Sequence, residues 1–278
     1  FRWVAVLTGS KNAVKGCGFL LGAAMLAVFG FVASVLTMAA VLLSILIAVV
    51  ILMPSGLPAG RKDAKVSEVF SKNRNINWLS AARVFLFGAR DVWFVVGIPI
   101  YFYAVLSDGS EAGNRAAFFM IGTFMAVWTI LYGIVQGAAP RILGAASRSQ
   151  DEIVLLAGRW IAGLAVVPLG LAGAVWWAAQ PSSPLTVAIV LGLLVFGGLF
   201  AVNSALHSYL ILSFTDARRV TMDVGFYYMA NAAGRLIGTL LSGLTYQLGG
   251  LALCLGTAGV MIGFSWIGVS QLRPNKAI

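Results

Sequence analysis

Long apolar runs, separated by short breaks that are polar or rich in glycine, dominate the sequence. A helix that crosses the hydrocarbon core of a membrane needs about 20 mostly apolar residues. The runs predict eight such spans, at about 3–28, 32–53, 77–106, 115–138, 154–178, 185–214, 222–247 and 250–272. They are too long to be the strands of a membrane barrel, and glycine is tolerated in packed membrane helices. The pattern therefore predicts an all-α membrane protein.

Composition excludes a soluble fold. The chain is 60% hydrophobic and only 10% charged, whereas an ordinary globular domain has about a quarter of its residues charged. The longest polar stretch, 54–76, is a basic loop that contains Pro54 and Pro58. It divides the chain into residues 1–53, with two predicted spans, and residues 77–278, with six.

The basic residues of the loops predict the orientation in the membrane. Arg115 is the one basic residue in the predicted loops of one side. Loops that remain in the cytoplasm are enriched in Lys and Arg, so the other side and the C-terminus are expected to be cytoplasmic. The net charge of +10 reflects this topology and does not require a nucleic-acid partner. The basic residues of the predicted cytoplasmic side are Arg61, Lys62, Lys65, Lys72, Arg74, Arg141, Arg148, Arg218, Arg219, Arg273 and Lys276.

Two spans before the central loop and six after it suggest a transporter built from two related six-helix halves, of which the first four helices are missing. The first residue is Phe1 rather than Met, which agrees with this interpretation. The run Lys15-x-x-Gly18-x-x-x-Gly22 aligns with Arg235-x-x-Gly238-x-x-x-Ser242. Both place a cation one turn before a ridge of small residues that lets helices approach closely. Alternatively, glycine is frequent in membrane helices and the two runs align by chance.

Cationic side chains inside the spans are the main candidates for function. A charged side chain at the centre of a bilayer costs several kcal/mol and normally faces a cavity or a partner. Lys15, Arg90 and Arg235 each lie about 18–20 Å from the cytoplasmic end of their predicted helix, close to mid-membrane. Arginine binds phosphate-like and carboxylate groups through two parallel hydrogen bonds. The alternative is internal pairing with an acid such as Asp91. The predicted substrate-binding residues are Lys11, Lys15, Arg83, Arg90, Arg235 and Asn203.

Two further residues are candidates for proton coupling, Asp91 by its depth and His207 as the one histidine of the chain. Asp91 could instead form an ion pair with Arg90 or with a neighbouring helix. His207 shares a polar face with Asn203 and could simply be hydrogen-bonded. The two cysteines lie in apolar spans at no metal-binding spacing, so we expect no metal and no cofactor.

Three long runs resemble a known family: WVAVLTGSKNAVKG at 3–16, LSAARVFLFGARDVWFVV at 79–96 and YGIVQGAAPR at 132–141. They are similar to the organoarsenical efflux transporters (ArsJ family) of the major facilitator superfamily. The resemblance covers most of the chain and is strongest between residues 3 and 141. It implies a major facilitator-type helical bundle, of which the eight spans correspond to helices 5–12 of twelve.

The resemblance also implies a function. Such transporters export 1-arseno-3-phosphoglycerate, which forms when a glyceraldehyde-3-phosphate dehydrogenase uses arsenate in place of phosphate. The product decomposes to arsenate outside the cell. We therefore expect a monomeric, multi-pass, proton-driven antiporter of the bacterial inner membrane that depends functionally on such a dehydrogenase and confers arsenate resistance. Pentavalent arsenic forms oxyanions that suit Arg and Lys, in agreement with the cationic residues of the spans. The roles of individual residues remain hypotheses.

Other functions stay open at this stage. A carrier of another organic anion, such as a sugar phosphate, would need the same cations. A drug/proton antiporter would usually show acids rather than an excess of bases within its spans. A membrane enzyme would need a nucleophile, metal ligands or paired carboxylates near the interface, and the sequence shows no such set. A channel agrees less well with the inferred repeat.

Overall fold

The computed structural model describes residues 2–54, 71–178, 180–216 and 219–273, and these residues are helical apart from short connections. Six helical segments in this part of the chain are long and apolar enough to cross a membrane. The protein is thus a multi-pass helical membrane protein, as the apolar runs predict. The helices are α1 (Arg2–Leu52), α2 (Arg74–Val92), α3 (Ile98–Leu106), α4 (Glu111–Ile142), α5 (Gln150–Ala178), α6 (Ser183–Phe214) and α7 (Val220–Ser270).

Helices α2 and α3 form one crossing segment, because a π-helical turn at Trp93–Gly97 joins them. Pro99 follows this turn and cannot donate a backbone hydrogen bond. The wider turn leaves the amide of Val96 to donate to the Ser242 hydroxyl at 3.2 Å. The irregularity near Pro99 is therefore a π turn stabilised by a side chain of α7.

Helices α1 and α7 each contain 51 residues. A straight helix of this length would extend about 76 Å, far more than the roughly 30 Å hydrocarbon core. Glycines interrupt both: Gly30 has φ 73° and ψ 177°, and Gly250 has φ 60° after the non-helical Gly249. We name the parts on either side α1a (2–29), α1b (31–52), α7a (220–248) and α7b (251–270). The interruptions lie at the breaks that the hydrophobic pattern predicts.

Contacts with α2 show that α7 folds back on itself. A methyl group placed on Gly88 would touch Met261 of α7b and would lie 3.0 Å from the carbonyl oxygen of Gly234 in α7a. The Thr245 hydroxyl also lies 3.2 Å from the Cys254 sulfur. Both parts of α7 therefore pass the same level of α2, as two antiparallel helices would.

Hydrogen bonds join the helix ends at one side of the bundle. The Asn73 side-chain amide donates to the Phe214 carbonyl at 2.9 Å, and the Asn75 amide donates to the Arg273 carbonyl at 2.7 Å. Helix α2 begins at Arg74, three residues before the predicted start of the third span. The basic residues that the structure describes at this side are Lys72, Arg74, Arg141, Arg148, Arg219 and Arg273. The predicted loop residues Arg61, Lys62, Lys65, Arg218 and Lys276 lie outside the described residues.

At the opposite side, the Tyr101 hydroxyl lies 3.2 Å from the Thr186 hydroxyl. The one basic residue described there, Arg115, forms an exposed ion pair with Glu111 at 2.6 Å. The described loops thus keep the one-sided distribution of positive charge on which the predicted orientation depends.

Glycines allow two close helix contacts. A methyl group on Gly9 of α1a would lie 2.5 Å from the carbonyl oxygen of Gly133 in α4. Gly238 of α7a meets the backbone of Gly88 in the same way. The predicted small-residue ridge therefore serves α7a. It does not serve α1a, since no described atom approaches a methyl group placed on Gly18 or Gly22.

The half-helices α1b and α7b differ in burial. Residues 35–54, which include most of α1b, are all exposed. In α7b, Cys254, Leu255 and Ala258 are fully buried. Neither half-helix has a charged residue, a pattern that predicts outer supports facing lipid, and the structure shows that α7b also contributes one face to the core.

Candidate functional site

A cavity of about 1190 Å³ opens among α1a, α2, α4, α6 and α7a. Five cationic side chains and one carboxylate lie on its walls, so the charged lining has a formal charge of +4. These six residues are Lys11, Lys15, Arg83, Arg90, Arg235 and Asp91. The structure thus brings together the charged residues that the sequence places inside the spans. Their roles in binding or coupling remain predictions.

Three of the cations lie half-way along their helices. Lys15 is central in residues 2–29, Arg90 in the crossing segment 74–106, and Arg235 in residues 220–248. Lys15 lies within electrostatic range of both arginines and of Asp91. The positive charge is therefore concentrated at the middle of the apolar bundle, where a counter-charge has the largest effect.

Asp91 bridges two of the arginines. Its Oδ1 accepts from Nε of Arg90 at 2.7 Å and lies 2.5 Å from Nη2 of the same residue, while its Oδ2 accepts from Nε of Arg235 at 3.0 Å. Asp91 is only 1% exposed, whereas the Arg235 side chain is 51% exposed. We name these three residues the Asp91 cluster. It links α2 to α7a, so both ion pairs considered for Asp91 from the sequence are present.

Arg83 is stabilised differently. Its guanidinium lies 3.8 Å from the centre of the Phe87 ring and 4.7 Å from that of Tyr227. Its Nη1 is 3.3 Å from both the carbonyl and the hydroxyl oxygen of Ser204. No carboxylate of the described residues lies within ion-pair distance of it. A buried cation is thus held by aromatic rings and neutral oxygens, an arrangement that leaves its charge uncompensated.

A chain of hydrogen bonds connects Arg83 to α1a across four helices. The Asn12 amide donates to Gln136 Oε1 at 2.6 Å, and Gln136 Nε2 donates to the Ser204 hydroxyl at 3.1 Å. Ser204 in turn accepts from Arg83. Gln136 and Ser204 are completely buried. These neutral groups fix the position of Arg83 without neutralising it.

Aromatic side chains form much of the remaining wall. Trp128 and Tyr132 of α4 stack at 5.7 Å between ring centres, and the Trp128 indole N–H donates to the Leu193 carbonyl at 2.7 Å. Sequence reasoning did not assign α4 to the cavity, because its span has no charged residue in its core. Aromatic residues in an apolar span are more often packing residues, so only the spacing of Trp128, Tyr132 and Gln136, four residues apart, was available as a signal. The aromatic lining residues are Phe19, Phe87, Phe94, Trp128, Tyr132 and Tyr228.

Two predicted site residues do not line the cavity. Asn203 is fully buried, and its side-chain amide donates to the Leu199 carbonyl of its own helix at 2.9 Å. His207 is also fully buried, and neither ring nitrogen has a hydrogen-bond partner among the described residues. Both lie behind the wall that Ser204 contributes. The structure therefore does not bring them into contact with the open cavity.

No group of three His, Cys, Asp or Glu side chains in the described part of the chain is arranged to hold a metal ion. Cys17 is exposed and Cys254 is buried, on different helices. The chemistry that the cavity can offer is therefore that of its cations, its single lining carboxylate, its neutral hydrogen-bonding groups and its aromatic rings.

No family model, no curated protein and no solved structure matches the chain.

Proposed function

We propose that the protein is a secondary transporter that moves a small organic anion through this cavity. The observation that carries the proposal is the formal charge of +4 on the charged lining, in the middle of an apolar bundle. Uncompensated charge at this depth costs several kcal/mol. An anion that enters the cavity would relieve this cost, and a neutral or cationic molecule would not.

Oxyanions suit the lining better than other anions. Phosphate, arsenate and carboxylate groups accept paired hydrogen bonds from guanidinium groups, which supplies geometry as well as charge. The volume of about 1190 Å³ slightly exceeds that of a usual small-molecule site, so a small anion would enter with water. The aromatic rings offer apolar surface to the carbon skeleton of an organic anion.

We propose 1-arseno-3-phosphoglycerate as the substrate, on the resemblance of residues 3–16, 79–96 and 132–141 to the organoarsenical exporters. The first two runs contain five of the six charged lining residues, and the third contributes Tyr132 to the wall. The full-length protein would be a twelve-helix major facilitator in the bacterial inner membrane, with a cytoplasmic C-terminus. Its functional partner would be a glyceraldehyde-3-phosphate dehydrogenase. A carrier of a sugar phosphate would use the same cavity chemistry and is the alternative.

The test is arsenate tolerance. The full-length protein is produced in an arsenate-sensitive bacterium, with and without a glyceraldehyde-3-phosphate dehydrogenase, and growth and cell-associated arsenic are measured. Arg90→Ala is run beside Arg115→Ala, which removes an exposed arginine far from the cavity. We expect tolerance that requires both proteins, is lost with Arg90→Ala and persists with Arg115→Ala. Absence of tolerance, although the protein reaches the membrane, would contradict the arsenical assignment and leave the broader anion carrier to be tested.

A further inference from the structure

Buried polar atoms without partners gather around Arg83. They are Nε of Arg83, Oγ of Ser80 and both ring nitrogens of His207, none of which has a hydrogen bond within the described residues, and Oη of Tyr227, which has only the Ser208 hydroxyl within reach. The four side chains are between 0% and 3% exposed. Proteins leave few buried polar groups unpaired, because each costs about 1–3 kcal/mol. An external polar group that reached them would relieve this cost.

The four residues come from three helices that meet at Arg83. Ser80 precedes Arg83 by three residues, so the two side chains share one face of α2. Tyr227 of α7a lies against the guanidinium at 4.7 Å. His207 of α6 is within electrostatic range of Arg83 and follows Ser204, a direct partner of Arg83, by one turn. Five of the nine such atoms in the described residues thus belong to side chains around Arg83, and the other four belong to Trp93, Asn203, Asp223 and Asn231.

The chemistry of these atoms selects the ligand. The guanidinium N–H and the two hydroxyl groups donate, and a neutral histidine donates from one nitrogen. The guanidinium of Arg83 lies over the rings of Phe87 and Tyr227 and its Nη1 donates to Ser204, so Nε is the buried donor that has no partner among the described residues. No carboxylate competes for it, in contrast to the Asp91 cluster. A group of donors around an uncompensated cation favours an anionic acceptor.

We propose that Ser80, Arg83, His207 and Tyr227 form a second anion subsite, the Arg83 subsite, which binds one oxyanion group such as a phosphate. Of the four residues only Arg83 lines the main cavity, so an anion reaches the subsite from the cavity side of Arg83, and the subsite is distinct from the Asp91 cluster. The inference deepens the proposed function and rests on it where the oxyanion is one end of the transported molecule. The other source of the oxyanion is a free inorganic ion. Both sources present the same chemistry to Arg83.

Binding of inorganic phosphate to the purified full-length protein tests the subsite. The thermal unfolding midpoint is measured in detergent against phosphate concentration at pH 7 and constant ionic strength, since a ligand of the folded state raises the midpoint according to its Kd. Tyr227→Phe removes one hydroxyl, and Arg83→Lys keeps the charge but loses the planar fork. Arg115→Gln removes an exposed arginine outside the cavity and serves as the matched control, and Arg235→Gln tests whether phosphate binds at the Asp91 cluster instead.

We expect the Kd for phosphate to rise about tenfold with Arg83→Lys, about threefold with Tyr227→Phe and less than twofold with Arg115→Gln, as the loss of one charged or one neutral hydrogen bond predicts. Equal Kd values for the wild type and Tyr227→Phe, together with loss of binding in Arg235→Gln, would overturn the proposal. So would the absence of any shift in the wild-type protein. Tyr227→Phe keeps the test decisive even if Arg83→Lys does not fold.

A competition arm identifies the source of the oxyanion. If 3-phosphoglycerate weakens phosphate binding competitively, the subsite receives one end of the organic anion, whereas independent binding assigns it to the inorganic ion. Uptake of organic anion into proteoliposomes is measured in parallel. Phosphate binding at Arg83 without such uptake would reject the transport function and retain the subsite. Uptake that Tyr227→Phe does not affect, together with no phosphate binding, would retain the transport function and reject the subsite.

Discussion

Arg83 and Arg90 lie on one face of the same helix, seven residues apart, yet the protein compensates their charges in different ways. Both guanidinium groups lie over the Phe87 ring, at 3.8 Å for Arg83 and 5.2 Å for Arg90. Arg90 also shares the Asp91 carboxylate with Arg235, whereas Arg83 has no carboxylate within ion-pair distance among the described residues and instead contacts the Tyr227 ring and the oxygens of Ser204. An ion-paired guanidinium has its strongest interaction inside the protein. A guanidinium held by rings keeps its charge available. The difference teaches that depth in the membrane identifies charged residues, while their partners determine which of them can bind an external anion.

Removal of the Asp91 carboxylate should have the largest effect on this comparison. With Asp91→Asn, two arginines lose their common counter-charge, and breaking a buried ion pair typically costs 3–5 kcal/mol. We expect a loss of about 3 kcal/mol in the free energy of unfolding in mixed micelles, at the lower end because Arg235 is half exposed.

Glu111→Gln is the control for Asp91→Asn, because it breaks an ion pair that is exposed on both sides. Its effect should stay below about 0.5 kcal/mol. If the two variants lose the same stability, the Asp91 cluster does not hold α2 against α7a, and the contrast with Arg83 is lost.

The spacing of α2 and α7a should have the second largest effect. A methyl group at Gly234 would collide with the backbone of Val84, so Gly234→Ala forces the helices apart next to Arg235. We expect a destabilisation of about 1–3 kcal/mol, the usual cost of overpacking.

Gly243→Ala lies in the same half-helix, where the added methyl group meets no described atom within 4 Å. It should be neutral or stabilise the helix by about 0.5 kcal/mol. Equal losses for Gly234→Ala and Gly243→Ala, measured by unfolding in mixed micelles, would show that helix propensity rather than close approach governs both positions.

The neutral network at Arg83 should give a smaller effect. Ser204→Ala leaves Gln136 Nε2 and Arg83 Nη1 without the hydroxyl that accepts from both. We expect a loss of about 1–2 kcal/mol in the free energy of unfolding. Ser208→Ala is the matched control, because its hydroxyl donates to the Ser204 carbonyl within α6 and otherwise faces the Tyr227 hydroxyl rather than Arg83 or Gln136. A larger loss for Ser208→Ala would contradict the role of the chain from Asn12 to Arg83.

The smallest effect concerns a loop outside the membrane. Hydrogen bonds from the Ser110 hydroxyl and then from the Ser110 amide lower the pKa of Asp108 from its ordinary value. A lowered pKa in the folded state adds stability above the ordinary carboxyl pKa and loses it as the pH falls through the folded-state pKa. The stability difference between wild type and Asp108→Asn should therefore be constant from pH 5 to 7 and shrink at more acidic pH, as followed by thermal unfolding. An unchanged difference down to pH 2 would contradict this cause.

Local pattern was sufficient to predict an all-helical membrane protein and the positions of its long apolar helices, because membrane helices obey a local rule. Each must be apolar over about 20 residues and satisfy its own backbone hydrogen bonds. Gly30 and Gly250 interrupt the apolar runs and adopt the positive φ values that interrupt the helices. The same rule explains why boundaries were less accurate, since helices such as α2 extend beyond the apolar run into polar residues.

The candidate site was predictable only in part. The excess of cations at mid-depth follows from counting charged residues and helical rise. The contribution of Trp128 and Tyr132, the hydrogen bonds of Gln136 and the exclusion of Asn203 from the cavity were not predictable. These features depend on which face of each helix meets a neighbour, and an uncharged span carries little information about that.

By itself, the sequence determined that this chain is a multi-pass helical protein with a strong one-sided loop charge and cations within three of its predicted spans. Hydrophobicity and charge are properties of single residues, and their cost in a membrane depends mainly on depth. Only the tertiary structure decided that Asp91 serves two arginines and that Arg83 has no carboxylate. A pairing depends on the distance between atoms on different helices. Contacts such as that of Gly88 with Gly234 set this distance, and no local pattern encodes it.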